Sequence, residues 1–213
     1  MRTSRPSHPP RLPGPADGLA IGLMGGSFDP PHAGHAHVIA TAMRRLGLDW
    51  VWVIPAAGNP LKRTSTPFAE RMAAAQSRFA GPRVRVSAIE AELGSPYTID
   101  LVRALKRRAP RARFVLIIGA DNLSGFHRWR RWRELARLVT IAVVARPAVG
   151  RSAASHAGSP FARAFAGARL AEGNARRLSR TPPPAWVYLH APLDRTSSTA
   201  LRARMQQAAL PPV

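Results

Sequence analysis

The chain has 213 residues, 46% of them hydrophobic, which is enough to bury one compact core with tails, and it has no cysteine, which excludes disulfides and thiolate metal sites. Its 32 Lys and Arg against 11 Asp and Glu give a net charge of +21, but only Lys62 and Lys106 are lysines and the arginines are dispersed. This favours attraction of small anionic substrates over a nucleic-acid surface. No apolar run is long enough to span a bilayer, and the lack of cysteine suits a reducing compartment, so the expectations are no membrane, no nucleic acid and a cytoplasmic location.

Met1 to Gly18 carries Arg2, Arg5 and Arg11 among prolines with no apolar core segment, and is expected to be a disordered leader and not a signal or transit peptide. A strand is predicted over Leu19–Met24, followed by Gly25-Gly26-Ser27-Phe28-Asp29-Pro30-Pro31-His32-Ala33-Gly34-His35 and a helix over His35–Leu46. Paired glycines let a ligand approach the backbone, and a helix start offers unpaired N–H groups and a positive dipole end, a setting suited to a polyphosphate. His32 and His35, with His37 and the carboxylate Asp29 nearby, admit two other readings: a metal cluster, or a helix capped by His35 after a Pro-Pro turn.

Further strands are predicted over Trp50–Ile54, Arg83–Val86, Arg113–Ile118, Val139–Val144 and Trp186–Leu189. Helices are expected over Pro67–Phe79, Thr98–Arg108, Trp129–Arg137 and Thr199–Gln207. This alternation predicts an α/β fold built on a doubly wound parallel sheet, with ligands at the carboxyl ends of the strands. After the second strand, Ala56-Ala57-Gly58-Asn59-Pro60-Leu61-Lys62 places one of the two lysines where a compact point charge could meet a phosphate, or simply solvent. Before the fourth strand, Ser95-Pro96-Tyr97-Thr98-Ile99-Asp100 opens a helix that Thr98 could cap. After that strand, Gly119-Ala120-Asp121-Asn122 offers a ribose-facing carboxylate or a helix cap. Phe126-His127-Arg128-Trp129 presents a flat aromatic face, while Trp132 is expected in the core.

Residues 147–184, rich in Gly and Pro, interrupt the rhythm. They are expected to be an irregular insertion with helical pieces around Phe161 to Leu178, serving as a lid edge or as a surface for pairing with a second copy. Residues 19–208, this insertion included, are expected to form a single domain. Near the end, Arg195-Thr196-Ser197-Ser198-Thr199-Ala200-Leu201-Arg202 gathers hydroxyls and an arginine at a helix start, fit for an anion or for an ordinary cap.

Taken in order, HxGH, P-Y-T-I-D, G-A-D-N, F-H-R-W and S-S-T-x-x-R resemble the HxGH nucleotidyltransferases and, among them, the bacterial nicotinate-nucleotide adenylyltransferases. The first residue of the last motif departs from the family pattern, with Thr196 in place of isoleucine. The resemblance implies a Rossmann-like nucleotidyltransferase fold. It also implies adenylyl transfer from ATP, with Mg²⁺ on its phosphates, to nicotinate mononucleotide, giving nicotinate adenine dinucleotide and pyrophosphate. By the same resemblance His32 and His35 are catalytic. Gly25, Gly26, Ser27, Phe28, Gly34, Gly119, Asp121, Ser197, Ser198, Thr199 and Arg202 would bind ATP. Asn59, Lys62, Thr98 and Trp129 would bind the acceptor, with Trp129 stacked on the pyridine ring, and no protein metal site is implied. Nicotinamide mononucleotide or phosphopantetheine as acceptor, and a nucleic-acid-binding α/β module, remain as alternatives.

Overall fold

A computed structural model describes residues 11–58, 64–145 and 158–190. Among them are seven strands: β1 (Ala20–Gly26), β2 (Trp50–Pro55), β3 (Val84–Val86), β4 (Arg113–Gly119), β5 (Thr140–Val144), β6 (Arg169–Leu170) and β7 (Trp186–Leu189). They form one sheet in the order β3-β2-β1-β4-β5-β7-β6, with every pairing parallel. The chain leaves β1 toward β2 on one side and reaches β4 on the other, so the order reverses between β1 and β4. In such sheets the crevice for ligands opens at that point, beyond the carboxyl ends of the strands.

The helices are α1 (Ala33–Leu46), α2 (Phe68–Arg78), α3 (Ile89–Leu93), α4 (Thr98–Arg108), α5 (Ala120–Leu123), α6 (Trp132–Leu138) and α7 (Pro160–Ala164). Because successive strand residues point to opposite faces, the sheet feeds two apolar layers. Ile21, Leu23, Trp52, Ile54, Leu116, Ile118, Ile141 and Val143 pack with Leu101 and Leu105 of α4, Leu135 of α6 and Phe161 of α7. Met24, Val51, Val53, Val115, Ile117 and Val144 pack with Val38, Ile39 and Ala42 of α1 and Ala75 of α2. With both faces covered, the central strands read as near-continuous apolar runs, which is why they were legible in the sequence.

The expected doubly wound parallel sheet is therefore present, with strand and helix ends shifted by a residue or two at most places. The helix expected from Trp129 begins instead at Trp132. Residues Phe126–Arg128 form a 3₁₀ turn, and Arg131 takes a left-handed conformation (φ 52°) that breaks the helical path before α6. Three other expectations need correction or fall out of view. The leader is not disordered through Gly18: Leu12 and Ala16 pack against the core, and Asp17 pairs with Arg111. Over its described part, the 147–184 segment has the helical pieces expected around Phe161 to Leu178, but they pack onto the sheet instead of standing out from it as a loop. Its α7 and β6 are joined by 3₁₀ turns at Ala166–Ala168 and Glu172–Arg180, Phe161 and Phe165 enter one apolar layer, and Ala175 and Leu178 enter the other. The helix expected over 199–207 lies outside the described residues.

Candidate active site

At the carboxyl end of β1, Gly25 and Gly26 lie beside Ile54 and Pro55 of β2, and the Ala56 amide donates to the Gly26 carbonyl at 2.8 Å. A Cβ on Gly26 would come within 3.1 Å of the Phe28 ring, so space and not a turn conformation keeps glycine there. Phe28 itself holds a positive φ of 46°, a strained choice for an aromatic residue that the surroundings must over-determine. They do so by burying its ring to 1% exposure, edge-on to His35 at 4.9 Å and to Phe79 at 5.4 Å.

His32 is the N-cap of α1. Its Nδ1 accepts from the Gly34 amide at 3.0 Å, and the Nδ1 of His35 accepts from the His32 amide at 3.2 Å. The two histidines thus make a reciprocal capping box, a role more often taken by Ser and Glu. The cap expected at this helix start is present, but His32 provides it and His35 closes it. Each Nδ1 must be unprotonated to accept, so in the neutral ring the proton is on Nε2, the edge turned from the helix backbone. The rings are 3.9 Å apart, both are buried, and they stand at a helix N-terminus, where the dipole and the first amides favour an anion.

Gly25, Thr98 and Trp129 line one narrow cleft of about 20 Å³ together with Leu23, Ile54, Glu90, Leu101, Val102, Leu116 and Ile118. Trp129 is half-buried, with its ring 5.0 Å from that of Phe126. Thr98 does not cap α4. It is the first helical residue, Tyr97 holds the cap position, and the Ser95 hydroxyl, which donates to Asp100, accepts from the Tyr97 amide. Gly119 ends β4 and holds the cap position of α5, which places Asp121 exposed in the first turn and not at the cap. Trp132, expected in the core, is half-buried at the rim of it, edge-on to Phe165. Asn59, Lys62, Ser197, Ser198, Thr199 and Arg202 lie outside the described residues.

Three charged residues organise this end of the sheet; the sequence reading passed over Arg71 and Glu90 and considered Asp29 only as a metal ligand. Asp29, 4% exposed, accepts from the Ser65 amide (2.8 Å), the Ser65 hydroxyl (3.1 Å) and the Thr66 hydroxyl (2.6 Å). Its burial acts to raise the carboxyl's pKa, but these hydrogen bonds outweigh it and hold the group below its usual value. Arg71 of α2, 2% exposed, donates to the carbonyls of Ser27 (2.6 Å), Ala56 (2.9 Å) and Thr66 (3.1 Å). Glu90 of α3, 6% exposed, accepts from the Ala57 amide at 3.3 Å. Burial pushes the Glu90 carboxyl up to about 7, against the opposing pull of that amide and of Arg71. Arg71 and Ala75 are the buried residues of α2, and since an arginine is rarely buried unless paired, its burial marks the cluster in the structure, though nothing in the sequence announces it.

A hollow of about 770 Å³ is found elsewhere. It lies at the amino ends of β1 and β4, lined by Ala20, Gly47 and Arg113 with Arg176, Arg177 and Arg180, and holds none of the residues above.

Known proteins resemble this chain in sequence and in fold. A family profile described as cytidylyltransferase-like matches residues 23–204. A probable nicotinate-nucleotide adenylyltransferase of Cereibacter sphaeroides is 47% identical over 186 residues, covering 87% of this chain and 97% of its own length. One from Methylorubrum extorquens is 48% identical over 188 residues, covering 87% of this chain and all of its own. Among solved structures, the nicotinic acid mononucleotide adenylyltransferase of Plasmodium falciparum complexed with NaAD superposes with a TM-score of 0.64 over 87% of this chain and 83% of that one. At 16% identity, that likeness carries the fold alone. Sequence identity sustained along nearly the full length of its relatives, on a doubly wound sheet with the HxGH pair at its switch point, places this chain in the nicotinate-nucleotide adenylyltransferase family of nucleotidyltransferases.

Proposed function

We propose that the chain transfers the adenylyl group of ATP to nicotinate mononucleotide, a step of NAD biosynthesis carried out in the cytoplasm. An oxygen of the acceptor's ionised phosphate attacks the α-phosphorus in line. The new P–O bond forms as the bond to the bridging α–β oxygen breaks, and pyrophosphate leaves with the electron pair. No enzyme nucleophile takes part, so catalysis is positioning of two anions together with stabilisation of charge on the transferring phosphoryl group. Mg²⁺ enters as part of the nucleotide substrate, on its phosphate oxygens.

The observation that carries the reading is the reciprocal histidine cap. By engaging both Nδ1 atoms with backbone amides, it commits both Nε2–H groups as donors, 3.9 Å ring to ring, at a helix N-terminus. Donors fixed in advance where charge develops need no reorganisation during reaction. His32 and His35 would serve the α-phosphate. Gly25, Gly26, Ser27, Phe28, Gly34, Ser197, Ser198, Thr199 and Arg202 would bind the triphosphate, and Gly119 and Asp121 would serve the ribose side. Thr98 and Trp129 would hold the pyridine ring, with Asn59 and Lys62 near the acceptor phosphate.

The test is pyrophosphate release from MgATP with nicotinate mononucleotide, nicotinamide mononucleotide and phosphopantetheine offered separately. Release with the nicotinate form alone is expected. Release only with another acceptor would retain the adenylyl chemistry and overturn the acceptor assignment. Trp129→Ala should raise the acceptor KM about tenfold or more, the scale of one lost stacking partner; an unchanged acceptor KM would remove Trp129 from the pyridine site.

A further inference from the structure

Asp29, Arg71 and Glu90 are buried charged groups that the reaction as written above does not use. Their partners lie at the exits of β1 and β2 and at Ser65 and Thr66, just before α2. Arg71 bonds to Ser27, in the loop that follows β1, and to Ala56, in the turn that follows β2, and so spans the donor and acceptor sides of the crevice. Asp29 grips Ser65 and Thr66, while Glu90 takes the Ala57 amide next to Ala56 and also lines the cleft that contains Thr98 and Trp129. A carboxyl group buried in this way costs free energy, and its position at the cleft wall indicates a use for it.

We propose that Glu90 is a positioning residue for the acceptor nucleotide: its carboxylate holds the backbone at Ala56–Ala57 in register with Arg71 and the Thr98–Trp129 cleft, so that acceptor affinity depends on its charge. The inference rests on the adenylyl-transfer reading for its kinetic readout, and has a second readout that does not.

The charged form favours both contacts, because a carboxylate accepts more strongly from the Ala57 amide and attracts Arg71, whereas a neutral carboxyl does neither as well. Arg71 of α2 is the charged group that faces Glu90, and Arg71 in turn feels Asp29. From α4 and the 126–129 turn, the cleft presents Thr98, Leu101, Val102 and Trp129, and from the strands Leu23, Gly25, Ile54, Leu116, Ile117 and Ile118, none of which titrates. Because burial lifts the Glu90 carboxyl to about 7, the loss of charge falls within the working range of pH. Acceptor KM should therefore be lowest above neutrality and rise as the pH falls through about 7.

The experiment measures KM and kcat for each substrate from about pH 6 to about pH 8, one unit either side of neutrality, in the wild type and in Glu90→Gln. Glu90→Gln is expected to raise the acceptor KM about tenfold at pH 8 and to flatten its pH profile, with kcat and the ATP KM little changed. Arg71→Lys, which disturbs Ser27 as well, should raise the KM of both substrates. A Glu90→Gln enzyme that keeps the wild-type acceptor KM and its pH dependence overturns the proposal. The second readout needs no turnover. In Glu90→Ala, amide hydrogen exchange should quicken at Ala57 and not at Ser65, which Asp29 holds. Equal exchange at Ala57 in both proteins overturns the proposal, whereas quickened exchange in a protein that transfers no adenylyl group to nicotinate mononucleotide would sink the reaction assignment and leave the role of Glu90 in ordering the backbone.

Discussion

His32 combines two jobs that mutagenesis can separate. Its Nδ1 caps α1 while its Nε2 faces away from the helix. Asparagine is among the best N-cap residues and its Oδ1 can replace Nδ1, but it has no equivalent of the outward Nε2–H. His32→Asn should therefore keep the melting temperature within a degree or two while lowering kcat by about 10²–10³, the scale of one lost oxyanion donor. Near-normal kcat in a folded His32→Asn protein would remove this histidine from the reaction. Glu90 makes a prediction of opposite kind, about stability. Its folded-state pKa of about 7 lies above the ordinary 4.5, so its stabilising contribution is complete below about pH 4.5 and is lost as the pH rises through 7. The difference in unfolding free energy between wild type and Glu90→Gln should shift by about 3 kcal/mol over that window, against the wild type at the alkaline end. Urea unfolding at pH 5 and pH 8 tests it, and a pH-independent difference would mean that the folded protein does not raise this group. The charged Glu90 that suits acceptor binding is thus the less stable form, as active sites often require.

At the scale of elements, the segment after β5 is where sequence reasoning was incomplete, anticipating helical pieces around Phe161 to Leu178 but not their burial. Its Gly and Pro content read as a loop because turn-forming residues are scored locally, while the burial of Phe161, Phe165 and Leu178 depends on a sheet assembled from distant strands. The Trp186 indole N–H donates to the Phe165 carbonyl at 2.8 Å, tying β7 to the turn after α7. Phe161 is 1% exposed among Phe126, Phe165 and Trp186, so Phe161→Ala should cost about 3–5 kcal/mol. A lid would behave otherwise, giving an altered kcat with little loss of stability, and that result would return the segment to the role expected from sequence. The half-buried Trp132 against Phe165 and the 3₁₀ turn before it show the same override. Arg131 in the left-handed region ends what looked like a continuous helix from Trp129, and this leaves Trp129 at the cleft and Trp132 on the core.

For the whole molecule, the charge of +21 becomes intelligible once both proposed substrates are anions. Long-range attraction of this kind is screened by salt, whereas contacts inside the crevice are less so. Raising salt from about 0.05 to 0.5 M should increase both KM values several-fold and leave kcat nearly constant. A salt-independent KM would mean that the arginines serve another purpose. The sequence by itself determined the fold class and the phosphate-side motif, because both are written locally. Apolar runs alternating with amphipathic ones specify buried parallel strands and their crossover helices, and Gly25 to His35 places a strand end, a loop and a helix N-terminus within one short stretch. Only the tertiary structure decided that His32 and not His35 is the cap, that Thr98 and Trp129 share a cleft with Gly25, and that Asp29, Arg71 and Glu90 brace the exits of β1 and β2. Those contacts join Ala57 to Glu90, Asp29 to Ser65 and Ser27 to Arg71, residues 33, 36 and 44 positions apart. They exist because β1 and β2 lie side by side in the sheet, and a spacing of that kind has no period in the sequence from which to read it.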